Sequence, residues 1–505
     1  MGKFTRNFST FVVCGMVIGS PGLSAEISDF NLDDLYERPR DTLLDIWREI
    51  QSERFTANSC VADLEHANYL LRGFSLQKMN LTQLIGYQER IWHSQLIAPL
   101  RLSRSSLANR LKEFDQNHTL SRGCGAAALE FFRLARYDEN LLNHQAEWRW
   151  FKRSDVKNHA LEGPLQKIYS EYKNFKSYED LKSGDILVGR GAGPFVTTIS
   201  SVGTSDSDFS HLGIIYRHQA TNEIFSIDAK SKNNIQIMPI KEFLEGDYVR
   251  MAVYRHHDSE VAARAAQHIY DFQKENEQNN IVIEYDLLAE DLSEGRTNCS
   301  LLIKDAYDTI APDQGFQSEY FSRIELHNTS IVNRFGRNHM QLFFPGDIEI
   351  QPNFSLVAEW YDPRRIWDTQ LYDVGASTLM DWIDRGDYGV KGSSKAALAR
   401  SVYIKAQSGD KMAKHLLDKA HGPQSMSPEL AALIVDFSVT LECLYKKLKT
   451  YETGIRKQNG DMPLSFQERV NYLEFLRERS ERMNSRLCSN LHWEHNTITA
   501  LQEDI

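Results

Sequence analysis

DFSHLGIIYRHQATNEIFSIDAK, residues 208–230, decides how the middle of this chain is read. Two apolar runs, His211–Tyr216 and Glu223–Ile227, flank a short polar stretch. Such runs read as strands, and the polar residues between them as the turn of a hairpin. Side chains alternate across a strand, so Leu212, Ile214 and Tyr216 share one face and His211, Gly213 and Ile215 the other. A hairpin turning at Gln219–Thr221 sets His211 directly opposite Asp228. Opposed residues of antiparallel strands share a face, with Cβ atoms ~5 Å apart. Asp228 would there accept from one ring nitrogen and leave the other for a further partner. A one-residue slip would put it on the wrong face. The plainer alternative is a turn or surface aspartate beside an internally satisfied histidine.

The same strand-like pattern extends outward. Asp185–Val188 precedes the hairpin, and Gln341–Ile350 and Phe354–Glu359 follow it. Residues 259–276 carry Val261, Ala262, Ala265, Ala266 and Ile269 at helical spacing. Residues 26–162 look mostly helical, with apolar periodicity in Leu64–Leu71 and Ala126–Leu141. Residues 386–396, GDYGVKGSSKA, form a Gly/Ser/Lys-rich joint, and 397–505 is helical again. There Leu430–Tyr451 and Ser465–Leu487 could form an antiparallel pair. The fold class is therefore α+β: a mixed domain over 163–385 between two helical regions.

The 505 residues are 41% hydrophobic and 25% charged, as in a soluble globular protein. A net charge of −11 disfavours nucleic acid as a partner. Residues 1–25 read as a signal peptide, with Lys3 and Arg6, an apolar core from Phe11 to Ile18, and a small-residue cleavage site at Leu23-Ser24-Ala25. That core is too short to span a bilayer, and Cys14 within it makes a poor lipoprotein signal. An uncleaved anchor is the alternative. No later segment has the length and purity of a membrane helix. The expected location is periplasmic or secreted.

Export changes the reading of the cysteines, because thiols pair in oxidising compartments. Five lie beyond the signal: Cys60, Cys124, Cys299, Cys443 and Cys488. The tidy pairing joins Cys60 to Cys124 and Cys443 to Cys488, each within one helical region. It is one of several pairings that leave one thiol over.

The unpaired thiol of that scheme sits in GRTNCSLLIKDAYD, residues 295–308. Thr297 or Asn298 can cap a helix whose buried face is Leu302, Ile303, Ala306 and Tyr307. A first-turn cysteine meets free amide N–H groups and the helix dipole, which favour the thiolate. The same amides can bind an oxyanion. A buried, inert cysteine is the alternative. A nucleophilic cysteine needs a histidine and a group to orient it, and His211 with Asp228 supplies both.

Taken together, LKSGDILVGRG, DFSHLGIIYR, the acid in SIDAK, EYD and TNCSLLIKDAYD resemble the permuted papain-like amidases of the YaeF/YiiX type, relatives of the NlpC-type cysteine peptidases. FFPGDIEIQPNFSLVAEW resembles the closing segment of that family, and the likeness spans about 180–362. The order histidine before cysteine is the mark of the permutation. The resemblance implies Cys299 as nucleophile, His211 as general base and acid, and Asp228 as orienter, where the family more often has Glu. Tyr285 in EYD matches a Tyr-Asp pair whose hydroxyl would donate to an oxyanion. The loop 189–209 is expected to rim the cleft; no Gly-Lys-Ser/Thr follows its glycines, so it is no phosphate loop.

The function expected is hydrolysis of an amide bond through an acyl-enzyme, with peptidoglycan peptide or a related amide as substrate and no cofactor or metal. One rival is a lipid acyltransferase or thioesterase on the same Cys-His core, for which Phe195, Val196, Ile199 and Phe209 would have to form an apolar mouth. Another is a non-catalytic helical scaffold around a degenerate fold. His492 and His495 in HWEHN are spaced for a metal, but nothing completes a zinc pattern, so a solvated tail is expected. His256-His257-Asp258 reads as an exposed turn.

Overall fold

A computed structural model describes residues 30–79, 89–148, 166–169, 175–201, 208–231, 234–246, 248–325, 339–386, 388–390, 392–420, 426–458, 463–489 and 491–493. The expected signal segment and His495 lie outside these.

Strands in chain order are β1 (Gln166–Tyr169), β2 (Ile186–Gly191), β3 (His211–Arg217), β4 (Ile224–Lys230), β5 (Asn234–Pro239), β6 (Tyr248–His256), β7 (Glu284–Tyr285), β8 (Arg296–Thr297), β9 (Arg323–Glu325), β10 (His339–Gln341), β11 (Phe354–Tyr361), β12 (Tyr388–Val390) and β13 (Leu491–Trp493). Seven of them make an antiparallel sheet in the order β1-β11-β6-β2-β3-β4-β5. Helices α1 to α5 are Leu32–Glu37, Pro39–Gln51, Cys60–Arg72, Glu89–Gln116 and Arg122–Trp148. Between strands come α6 (Pro194–Ser201) and α7 (Ile240–Leu244), then α8 (Ser259–Asn279) and α9 (Cys299–Ile310). The chain continues through α10 to α14, which are Pro363–Asp384, Ser394–Gln407, Lys411–Ala420, Pro428–Gln458 and Phe466–Arg482.

Both faces of the sheet are covered. Val188, Leu212, Ile214 and Ile227 pack under Ala265 and Ile269 of α8 and Leu302 and Ala306 of α9. Leu187, Ile215 and Val253 pack on the other side against Phe243 of α7 and Leu181. Burial on both faces explains why β2 and β3 read as continuous apolar runs instead of alternating with polar residues.

The helices at the two ends of the chain form one body. Leu64, Leu107 and Phe131 from the N-terminal side share a core with Trp382, Leu441 and Leu473 from the C-terminal side. The sequence places them in separate regions, because nothing local records a contact across hundreds of residues. Helix α10, assigned from sequence to the mixed domain, packs in this helical core through Leu371, Val374 and Leu379. A disulfide joins Cys60 of α3 to Cys124 of α5, and another joins Cys443 of α13 to Cys488 beyond α14. Cys299 is free and buried.

A buried ion cluster fastens the helical body to the sheet. Glu359 of β11 accepts from Arg104 of α4, Arg136 of α5, with Nε at 3.0 Å, and Arg250 of β6. Arg104 also donates to Glu139 at 2.7 Å, and Arg136 to Glu349 at 2.9 Å. Burial alone would raise the Glu359 carboxyl, but the three guanidinium groups hold it far below the ordinary carboxylate range.

Four sequence readings need correction. Gln341–Ile350 is not a strand: β10 ends at Gln341, and Pro345–Ile350 is a 3-10 helix opened by Pro345 and capped by Asp347, whose carboxylate accepts from the Phe344 N–H at 2.8 Å. The joint at 386–396 contains β12, which pairs with β13, so HWEHN begins in a strand with Leu491 buried and His492 opposite Gly389. His256 is buried, with its ring nitrogens 3.0 Å and 2.7 Å from the Asp258 and Gln314 carbonyls. Loop 189–209 carries α6, which packs on α10 and α13 of the helical body. Thr197, Thr198 and Ser200 are buried there, and Arg190 donates to Thr197 Oγ1 at 2.9 Å.

Candidate active site

Four elements bring the sequence-predicted residues together. Helix α9 starts at Cys299 because Asn298 caps it: its Oδ1 accepts from the N–H groups of Ser300 at 3.1 Å and Leu301 at 2.8 Å. The Asn298 side chain also donates to the Leu287 and Ala289 carbonyls at 3.3 and 3.1 Å, which ties the helix start to the preceding loop. This cap corrects one expectation. Two first-turn amides are already engaged, so the cap leaves the amide of Cys299 itself for an oxyanion.

His211 begins β3. Its register with β4 differs from the sequence-derived one: Ile214 pairs with Ile227, so Asp228 stands opposite Gly213, two residues from the expected position. The cause is a longer turn. His218 donates its N–H to Glu223 O at 2.8 Å, and Asn222, at φ 60°, completes the reversal in the left-handed region. A shift of two preserves the face. Asp228 reaches His211 along the diagonal, with Oδ2 2.8 Å from Nε2. Gly213 keeps that space tight, since a Cβ there would meet Ser226 Oγ at 2.8 Å.

The Cys299 thiol and the His211 imidazole lie close enough for each to shift the other's proton affinity, and the Leu212 backbone N–H and the Ser300 hydroxyl also favour the thiolate. Nε2 faces Asp228, so Nδ1 is the nitrogen left for Cys299. Burial would raise the thiol, yet His211, the Leu212 N–H and the Ser300 hydroxyl hold it below its ordinary value. Burial would likewise lower His211, but the Cys299 charge and the Asp228 hydrogen bond push it up to about 9. Both directions favour a thiolate–imidazolium pair. Asp228 is held below the usual carboxylate range: burial works against this, and the His211 hydrogen bond and charge, followed by Lys230, outweigh it.

Tyr285 lies in β7, which pairs with β8 immediately before Cys299, Tyr285 opposite Thr297. Burial, then the charges of Cys299, Asp286 and Asp228, push its hydroxyl far above the ordinary range, so it stays a donor. The sequence reading missed the surroundings. Gln236 of β5 donates to Asp228 Oδ1 at 2.8 Å, Lys230 lies 3.0 Å from Oδ2, and Phe243 and Tyr248 stack beside His211 with centroids 6.1 and 6.0 Å away. Lys230 was within reach, since it follows Asp228 by two and shares its face. Gln236 needed the β4–β5 register, which nothing local announces. Among the described residues no group of three or more His, Cys, Asp or Glu side chains is arranged to hold a metal ion, and no helix is long and apolar enough to cross a membrane.

Residues 180–331 match the family model of the permuted papain-like amidase enzymes, YaeF/YiiX, C92 family. The matched stretch holds His211, Asp228, Tyr285 and Cys299 and ends before β11. No curated protein matches the chain, and no solved structure does.

Proposed function

We propose that this chain is an exported cysteine hydrolase that cleaves an amide bond, with Cys299, His211 and Asp228 as its catalytic set. The observation that carries the reading is the contact of one free thiol, at a helix start, with a histidine whose other nitrogen meets a buried carboxylate. The Cys299 sulfur attacks the amide carbonyl, and its electrons move onto the oxygen. The Tyr285 hydroxyl and the Cys299 N–H donate to that oxyanion. His211 gives its Nδ1 proton to the departing nitrogen as the C–N bond breaks, leaving a thioester. His211 then takes a proton from water, hydroxide adds to the thioester, and the thiolate leaves. Asp228 keeps the ring oriented throughout.

Peptidoglycan peptide is the natural substrate class for such an enzyme outside the cytoplasm, and the signal-like residues 1–25 support that location. The lipid alternative relied on loop 189–209 as an apolar mouth. Helix α6 in that loop packs on the helical body and Phe209 is buried, which supports the amide reading over the lipid one.

The test is a small alkylating agent applied to the unreduced protein at mildly acidic pH, with modified cysteines mapped by mass spectrometry. Fast labelling at Cys299 alone, lost in His211→Ala, is expected. An unreactive Cys299, or one labelled equally fast without His211, would end the catalytic reading.

A further inference from the structure

Asp228 serves more than His211. Lys230 follows it by two residues in β4, and its ammonium lies 3.0 Å from Asp228 Oδ2. The same oxygen lies 2.8 Å from His211 Nε2. The ammonium is also 5.1 Å from the Phe243 ring centroid and 6.0 Å from that of Tyr248. These two rings stack on each other and on His211. A cation held by two aromatic faces and one carboxylate oxygen has a defined place. Gly189 makes room for one of those rings, since a Cβ there would meet Tyr248 at 2.6 Å.

We propose that Lys230 is a positioning residue: it shares Asp228 Oδ2 with His211, and so limits how strongly the carboxylate holds the imidazole proton. This rests on the reading of Cys299, His211 and Asp228 as a hydrolase site. The charged and titratable groups around His211, Asp228 and Cys299 are Lys230 from β4, Tyr248 from β6, and Tyr285 from β7 with Asp286 beside it. The Cys299 and Asp228 charges pull the ring toward imidazolium. A fixed cation on the shared oxygen works against that pull. An imidazolium held too tightly would be slow to pass its proton to the leaving amine, because transfer is best when donor pKa and working pH are close. Gln236 on Oδ1 and Lys230 on Oδ2 together also fix the rotation of the carboxylate.

The experiment is an NMR titration of the His211 ring in histidine-labelled protein, its signal assigned by loss in His211→Ala. Wild type, Lys230→Met and Lys230→Arg are compared, each also in a Cys299→Ala background. Lys230→Met is expected to raise the His211 midpoint by about one pH unit, and Lys230→Arg to leave it near wild type. The alkaline limb of the pH–rate profile should move up by the same amount in Lys230→Met. A midpoint that stays put in Lys230→Met, or that rises equally in Lys230→Arg, overturns the proposal. Because the Cys299→Ala background has no nucleophile, the titration decides the role of Lys230 even if labelling of Cys299 fails.

Discussion

The chain buries two clusters of charge, and they differ in the partners each carboxylate has. Around Glu359, guanidinium groups from α4, α5 and β6 converge on one carboxylate. Guanidinium stays protonated at any ordinary pH, so this cluster has one protonation state near neutrality. Around Asp228 the partners are an imidazole, an amide and an ammonium, and the imidazole in turn meets a thiol. In the second cluster the proton between Cys299 and His211 has more than one place to sit. Burial is common to both; chemistry follows only where the buried groups can exchange protons among themselves. The first cluster joins helices to the sheet, and the second lies where α9 meets β3 and β4.

That contrast can be broken by exchanging the outcomes of two mutations. Cys299→Ala should lower hydrolysis by about 10⁴-fold or more while changing unfolding stability by only about 1 kcal/mol. Glu359→Gln should do the reverse. It leaves three buried guanidinium groups short of a charge partner, so stability in denaturant titration should fall by about 3–5 kcal/mol, with turnover per folded molecule retained. If Glu359→Gln silenced a folded enzyme, the ion cluster would belong to the active site and the division would fail.

pH sharpens the comparison with smaller effects. Glu359 is held far below the ordinary carboxylate range, so its contribution is present at neutral pH and is lost as pH falls below that range. Stability measured on an acid series should decline less steeply in Glu359→Gln than in wild type. His211 is pushed up to about 9, so its contribution is present below the ordinary histidine value and fades as pH rises through about 9. An alkaline series should show that slight decline in wild type and not in His211→Ala.

The sequence exposed the second cluster far better than the first. His211 and Asp228 lie on neighbouring strands of one hairpin, and alternation with a register of the right parity puts them on one face. The turn length was misjudged, yet the two-residue error preserved that face, so the contact survived it. Cys299 announced itself by its place after Asn298 at the start of an apolar helical run. The cysteine pairing was readable because each pair lies within one stretch of helices. Arg104, Arg136, Arg250 and Glu359 come from four separate elements, and no local pattern distinguishes them from surface charges. Pro345–Ile350 misled because Ile348 and Ile350 alternate like a strand, while Pro345 and Asp347 set a tight helical turn.

The shared helical core also sets an order of events during synthesis. Tyr137 of α5 meets Arg469 of α14 across 332 positions, and Ser75 meets Glu468 across 393. The early helices emerge first and must wait for the last two before their apolar faces are covered. Their first lasting constraint is the Cys60–Cys124 bond, whose two cysteines are 64 residues apart; the Cys443–Cys488 bond closes only near the end. Contacts this distant make folding slow, and a chain cut short before α13 leaves α1 to α5 with an open apolar surface. Completion of the helical body is therefore the step that separates a finished molecule from one open to proteases and self-association.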